Sequence, residues 1–360
     1  MTTAPASTLS HANLAALRTV IADGMMRIRN EGIQEVCAIP IIDFEVWEWP
    51  QGVGLYGLWK LYQDTGDRAV RDRIAGWFDR RIAAGLPSRN VNTTAPMLTL
   101  AHLAEETGNP AHLALCTEWA EWVMRGLPRT QDGGMQHVVS GEMFDGQLWD
   151  DTLYMTVLFL AKMGMLLKRQ DMIDEAVYQF QIHIQYLYDR ATGLWYHGWN
   201  FNGRHNFAKA LWARGNCWIT AGTYDFLEIT GLQGPARRQL VTVLAAQVAA
   251  LEKFQHADGM WSTLIDDPAS YKETSATAGF AYGILKGVRL GLLDPRYAAV
   301  GRKALTGVVA QIDAQGNVGG VSYGTPVGAD LDHYRKIPIC QMAYGQSLAL
   351  LLLGEALRHP

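Results

Sequence analysis

Asp150 and Asp151 stand side by side behind Trp149, in the stretch Leu148–Met155 that reads Leu-Trp-Asp-Asp-Thr-Leu-Tyr-Met. The residues that follow, from Tyr154 to Leu160, are largely apolar and read as a helix. Two chemistries are open to such a pair. An aspartate at a helix start accepts hydrogen bonds from first-turn amides and complements the helix dipole. A carboxyl buried beside indoles instead has its pKa raised, and can donate a proton near neutral pH. A cap needs neither the tryptophan in front of it nor the Gly-, His- and Phe-containing loop before that. Helical spacing does not choose between the two, because Asp151 shares a face with Met155 and Leu158 while Asp150 lies over Tyr154 and Val157.

The second chemistry-bearing stretch is Leu194–Thr220, where 27 residues hold two His, two Arg, four Trp and a Lys. Within it, Trp-Ala-Arg-Gly-Asn-Cys-Trp (212–218) fences Arg214 between Trp212 and Trp218, with Asn216 as a candidate helix N-cap. A guanidinium so placed can hold a carboxylate bidentately while sugar faces stack on the indoles. An arginine stacked on tryptophan as a structural prop is the plainer alternative. His137, His197 and His205 are isolated histidines, the kind most often hydrogen-bonded within loops. No H-E-x-x-H or similar ligand spacing occurs, so no metal is expected. There is no G-x-S-x-G elbow, P-loop or dinucleotide fingerprint. Gly52-Val53-Gly54 reads as a turn.

These residues must be positioned by helices. From about His11 the apolar spacing is helical nearly throughout, with Leu14, Leu17, Ile21 and Met25 at three- and four-residue steps. Six apolar segments end near Asp67, Asn109, Asp171, Gly231, Leu292 and His359, most at a glycine suited to the left-handed C′ position. From the second onward the steps are near sixty residues, room for two helices and two loops. Six helical hairpins imply an all-α (α/α)6 toroid, with an open helical solenoid as the competing architecture. Segments 41–54, 133–148, 194–206 and 316–332 break the pattern with glycines and aromatics, and read as loops around a mouth.

The chain has 360 residues, 49% hydrophobic and 18% charged, with a net charge of −4. That composition supports a large core and offers no basic field for nucleic acid or an anionic membrane surface. The longest apolar runs fall short of a membrane span. Cys37, Cys116, Cys217 and Cys340 are scattered, as expected of reduced thiols in the cytoplasm. Residues 1–10 are small and polar and read as a flexible terminus. No linker divides the rest, so residues 1–360 are expected to form one catalytic domain.

Seven blocks then acquire a common meaning. Leu-Trp-Asp-Asp-Thr-Leu-Tyr-Met (148–155), His-Gly-Trp (197–199) and Trp-Ala-Arg-Gly-Asn-Cys-Trp (212–218) resemble signature blocks of glycoside hydrolase family 105, the unsaturated rhamnogalacturonyl hydrolases related to the unsaturated glucuronyl hydrolases of family 88. Trp-Pro-Gln-Gly-Val-Gly-Leu (49–55), Glu-Thr-Ser-Ala-Thr-Ala (273–278), Gly-Val-Ser-Tyr-Gly-Thr (320–325) and Ala-Tyr-Gly-Gln (343–346) resemble further blocks in family order. The resemblance implies the (α/α)6 fold and a cofactor-free reaction on the unsaturated uronate that a polysaccharide lyase leaves at the non-reducing end. An aspartic acid protonates C4 of the enol ether and water adds at C5. The hemiketal then opens and releases the remaining sugar.

By resemblance, Asp151 is the acid/base and Asp150 a helix-start residue behind it. Trp149, His137, His197, Trp212, Arg214 and Trp218 are implied substrate contacts, with Arg214 on the uronate carboxylate. Some relatives carry a second aspartate at the start of an earlier inner helix. Here the comparable region, Arg89–Thr94, has none, and Asn92 is the expected occupant, with Asp43 a distant substitute. Cys217 is expected to line the pocket without acting as a nucleophile. The alternatives are a glucuronyl hydrolase acting on other lyase products, a sugar epimerase on the same toroid, and a non-catalytic helical scaffold. The last fits poorly with Trp and His concentrated in loops that converge on one mouth. The aglycone sugar and the oligomeric state are open.

Overall fold

The computed structural model describes residues 9–30, 32 and 41–359. Cys37 and residues 1–8 of the expected flexible terminus lie outside the described residues. Ser10 already belongs to the first helix, accepting a hydrogen bond from Asn13 N at 3.3 Å as its N-cap.

Thirteen α-helices are present among the described residues. They are α1 (His11–Met26), α2 (Trp49–Thr65), α3 (Arg68–Ala83), α4 (Val91–Thr107), α5 (Pro110–Arg125), α6 (Leu158–Leu167), α7 (Gln170–Leu187), α8 (Ala213–Thr230), α9 (Gly234–Phe254), α10 (Thr274–Arg289), α11 (Ala298–Val309), the short α12 (Leu331–Arg335) and α13 (Ala343–Ala356). A π-helical turn, Leu153–Val157, runs into α6.

Helices α2, α4, α6, α8, α10 and α13 form an inner ring. They are the six apolar segments singled out in the sequence, and they are buried nearly all round, as an inner position demands. Each packs on the next, and α13 packs on α2. That last contact closes the ring and excludes the open solenoid. The chain is an (α/α)6 toroid. Helices α1, α3, α5, α7, α9 and α11 lie outside, each with a buried stripe and an exposed face.

Small residues set the ring's diameter. A Cβ on Gly57 of α2 would collide with Ser347 of α13, and one on Gly283 of α10 with the Thr220 carbonyl of α8. Gly52 is the same case and corrects an expectation: Gly52-Val53-Gly54 is not a turn but the second turn of α2. Glu48 caps this helix through Trp49 N, Pro50 pre-sets its first turn, and Gly52 admits the backbone around Pro96 of α4. The mouth segment expected over 41–54 therefore ends where α2 begins. The segments over 133–148, 194–206 and 316–332 do run between inner and outer helices, and β1 (Gln147–Trp149) pairs antiparallel with β2 (Gly198–Asn200), Trp149 opposite Gly198.

The two ends of the ring are chemically different. At the C-terminal ends of the inner helices, Lys286 Nζ bonds Asp225, and Glu228 at 2.7 Å, with the Tyr282 hydroxyl donating to Asp225 at 2.6 Å. Asp225 and Lys286 are fully buried. Removing one partner of such a pair strands a charge in a low-dielectric interior. Lys286→Met is therefore expected to lower the unfolding free energy by about 3–5 kcal/mol, measured by urea denaturation.

Candidate active site

The opposite end is where six helix N-termini converge, and their unsatisfied amides make it electropositive. Glu48 and Trp49 stand at the start of α2, Asn92 in the first turn of α4, Asp151 just before the π turn, Trp212 and Arg214 at the start of α8, and Tyr344 at the start of α13. Together with the 133–149 loop and Gly324–Pro326 they surround a cavity of about 340 Å³ lined by Asn92, His137, Trp149, Asp151, Trp212, Arg214 and Trp218. Seven of the nine residues expected at the site thus meet in one place.

Asp151 projects into this cavity, its side chain 17% exposed. Its Oδ1 lies 3.3 Å from His137 Nδ1, which is also 3.1 Å from Thr152 Oγ1. His137 stacks on Trp149, ring centroids 3.9 Å apart, and Phe144 packs on both. Burial pushes the His137 imidazole down to about 3, so it is neutral at physiological pH and forms no ion pair with Asp151. Burial raises the Asp151 carboxyl to about 7, outweighing the opposing pull of Arg214. The result is a carboxyl that is half protonated near neutrality, next to a neutral hydrogen-bonding ring.

Asp150 does not cap the helix that follows; it lies behind the cavity. It is fully buried, neither carboxyl oxygen has a hydrogen-bond partner, and the helical turn after it has no side-chain cap. Its carboxyl lies instead against the first turn of α8, where a Cβ on Gly215 would collide with it. Burial first, and the neighbouring Asp151 second, raise its pKa well above the usual range. It does not reach the cavity. Asn216 also departs from expectation: it is not the cap of α8 but a clamp. It accepts from Trp195 N at 2.8 Å and donates to the Trp195 and Trp212 carbonyls at 2.8 and 2.9 Å, tying the 194–212 loop to the helix.

Arg214 is fully buried and sandwiched between Trp212 and Tyr344, 4.5 and 4.9 Å from their centroids. Nη1 donates to the Ser322 carbonyl at 2.8 Å and to the Ser322 hydroxyl, Nη2 donates to the Tyr323 carbonyl at 2.7 Å, and Nε has no protein partner. Glu273, the N-cap of α10, accepts from Ser322 N at 2.9 Å and lies 3.8 Å from Arg214. Both terminal nitrogens thus anchor the 320s loop, as the prop reading expects, and leave no free bidentate face; Nε is the nitrogen without a partner, on a residue that lines the cavity.

Other expectations need correcting. His197 does not line the cavity. It sits behind Trp149 and Trp212, with Nδ1 2.9 Å from the Tyr334 hydroxyl, and orients the indole wall from the rear. Cys217 is buried between α8 and α10 against Gly279, its thiol pushed well up by burial, and is not a wall residue. Asp43 accepts from Asn30 N outside the cavity, so it is not a second site carboxylate.

Sequence reasoning missed Glu48 and the stacked pair Trp49 and Tyr344, centroids 4.7 Å apart. Glu48 is 2% exposed and lines the cavity, and burial raises its carboxyl to about 7. A glutamate just before Trp-Pro reads as a helix cap, which it also is. The missing signal was that α2 is an inner helix starting at the mouth, so its cap faces the site.

The geometry has counterparts among known proteins. The model of the Glycosyl Hydrolase Family 88 family matches residues 24–359. The chain is 31% identical to the unsaturated rhamnogalacturonyl hydrolase YesR of Bacillus subtilis (strain 168), over 88% of this chain and 91% of the relative. Its fold superposes on a crystal structure of a possible member of the GH105 family from Klebsiella pneumoniae subsp. pneumoniae MGH 78578 with a TM-score of 0.94 and 50% identity, covering 97% of this chain and 94% of that one. A possible GH105 member from Salmonella enterica subsp. enterica serovar Paratyphi A gives 0.95 and 49%, covering 99% and 96%. A toroid matched by this family model over nearly its whole length, and by these relatives from end to end, is a hydrolase, and the chain belongs to glycosyl hydrolase family 88.

Proposed function

We propose that this enzyme removes the non-reducing Δ4,5-unsaturated uronate from short lyase products, with unsaturated galacturonyl-rhamnose as the substrate of choice. The observation that carries this reading is Asp151, which projects into an indole-walled cavity that Asp150 does not reach, with its carboxyl raised to about 7, while Glu48, the other buried carboxyl on that wall, is engaged as the cap of α2. Hydrolysis by two carboxylates at the anomeric carbon needs a paired second group at defined spacing. Hydrating an enol ether needs one acid that can then act as base, and Asp151 meets that need. The likeness to the rhamnogalacturonyl hydrolase of Bacillus subtilis supports galacturonate over glucuronate.

In this mechanism the uronate ring stacks on Trp149, Trp212 and Trp218. Its carboxylate is drawn by the helix N-termini and the Arg214 guanidinium. Protonated Asp151 delivers its proton to C4, and positive charge develops at C5, stabilised by the ring oxygen. The resulting carboxylate takes a proton from the water that attacks C5. His137, neutral, holds the carboxyl and the water without drawing the proton away. Asn92 offers hydrogen bonds to sugar hydroxyls but no charge. The hemiketal then opens and the aglycone leaves. The chain is proposed to act as one catalytic unit in the cytoplasm, in keeping with buried free thiols at Cys116 and Cys217; among the described residues no helix is long and apolar enough to cross a membrane.

The direct test follows the ultraviolet absorbance of the conjugated enol acid in unsaturated galacturonyl-rhamnose. It should vanish without added cofactor; steady absorbance across this and unsaturated glucuronyl disaccharides would sink the proposal. Asp151→Asn is expected to lose roughly 10²–10⁴-fold in kcat, the usual worth of a general acid, and Asp150→Asn far less. An inactive Asp150→Asn beside an active Asp151→Asn would reverse the assignment.

Two pH measurements follow from the raised carboxyl. The acid must be protonated in the free enzyme, so kcat/KM should fall as pH rises through about 7. The folded state also holds the Asp151 proton more tightly than the unfolded chain, so this residue costs stability progressively between pH 4 and 7 and fully above that. Asp151→Asn should therefore melt at higher temperature than the parent at pH 8, with the gap closing toward pH 4.

A further inference from the structure

The base of the toroid holds a small cavity between α2, α10 and α13, beside the Asp225–Lys286 pair. It has about 10 Å³, room for a single water-sized or halide-sized occupant. Four cations line it, Arg18, Lys60, Lys286 and Arg358, against two carboxylates, Asp64 and Glu355. Both carboxylates are already engaged. Asp64 binds Arg18 and Arg358, and Glu355 binds Arg289, with Arg358 at 3.5 Å. Adding the neighbours Asp225, Glu228 and Arg289 leaves five cations to four carboxylates. A Cβ on Gly354 of α13 would collide with Arg18 and Asp64, so a glycine there leaves room for the cluster.

Lys60 is the member whose needs are unmet. Its side chain is 17% exposed, yet Nζ makes no hydrogen bond among the described residues. Its contacts are the Glu228 carboxylate at 3.7 Å and the Tyr56 ring, with Nζ 5.5 Å from the centroid. Burial, and then the positive charge of Lys286, lower its pKa. An ammonium with so little compensation is costly, and the cost falls when an acceptor fills the adjoining space. We propose that this cavity binds one small monovalent anion of halide size, such as chloride, bridging Lys60 of α2 to Arg358 beyond α13. A tetrahedral oxyanion such as phosphate is too large for the space. Because α13 packing on α2 is the contact that closes the ring, the anion fastens that closure at the end opposite Asp151.

The test is thermal unfolding of the full chain in sodium chloride or bromide against sodium gluconate, at equal ionic strength and pH, gluconate being too large for the cavity. The melting temperature is expected to rise saturably with chloride, by about 2 °C or more at saturation relative to gluconate. Lys60→Met replaces the ammonium with an apolar chain. It is expected to lose the chloride response and to melt no lower than the parent in gluconate. Arg358→Gln, at the exposed rim, should raise the half-saturating chloride concentration about tenfold, and it reports even if Lys60→Met folds poorly. Crystals grown in bromide should show one anomalous peak within hydrogen-bond reach of Lys60 Nζ. A parent that melts at the same temperature in chloride and gluconate overturns the proposal. So does a chloride response retained in both variants, or a water in the cavity of bromide-grown crystals. None of these readouts depends on turnover, so they stand or fall apart from the proposed function.

Discussion

The Arg214 guanidinium ties the mouth of the toroid together. It belongs to the first turn of α8, lies between Trp212 and Tyr344, and donates to the backbone of Ser322 and Tyr323. Through Ser322 it meets Glu273 at the start of α10. One cation thus fixes three inner helices and a long loop at the same point. A permanent charge that is fully buried is tolerable only when its donors are nearly all met, and that requirement fixes the 320s loop where it closes the cavity.

From this anchor the site's electrostatics follow. Burial among the loop and the indoles raises the Asp151 carboxyl despite the nearby positive charge. The same desolvation keeps His137 neutral. Burial raises both carboxyls against the pull of Arg214, Asp151 to about 7 and Asp150, which also meets the charge of Asp151, well above the usual range. Two adjacent aspartates with identical chemistry thus differ in place: Asp151 reaches the cavity, and Asp150 is sealed against Gly215.

The inner ring supports this arrangement from below. Glycines at the helix crossings bring the inner helices close, which sets their N-termini around one opening. The charged network of Asp225, Glu228 and Lys286 lies at the other end of the ring, away from the site. The toroid therefore keeps the cavity that holds Asp151, at the amino ends of its inner helices, apart from its most concentrated buried charge pairing, at their carboxyl ends.

Much of this was legible in the sequence. Apolar helices recurring at near sixty-residue steps, ending at left-handed glycines, foretold six hairpins, and all six segments became the inner ring. Motif blocks carried Asp151, Trp149, Trp212, Arg214 and Trp218, and His137 and Asn92 were named from outside those blocks; all seven line one cavity. Periodicity and short motifs are local properties, so one chain suffices to read them. What only the tertiary structure decided depends on neighbours distant in sequence. Gly52 serves the close approach of Pro96 on α4 inside a helix and not a turn; His197 is held by Tyr334 behind the cavity wall; Cys217 is sealed by Gly279. Glu48 became a site residue because ring closure brought the start of α2 to face the loop carrying Ser140. Burial sets a carboxyl's pKa, and burial is a property of the packed ring, so the motif singled out Asp151 by resemblance while only the fold shows that it reaches the cavity and Asp150 does not.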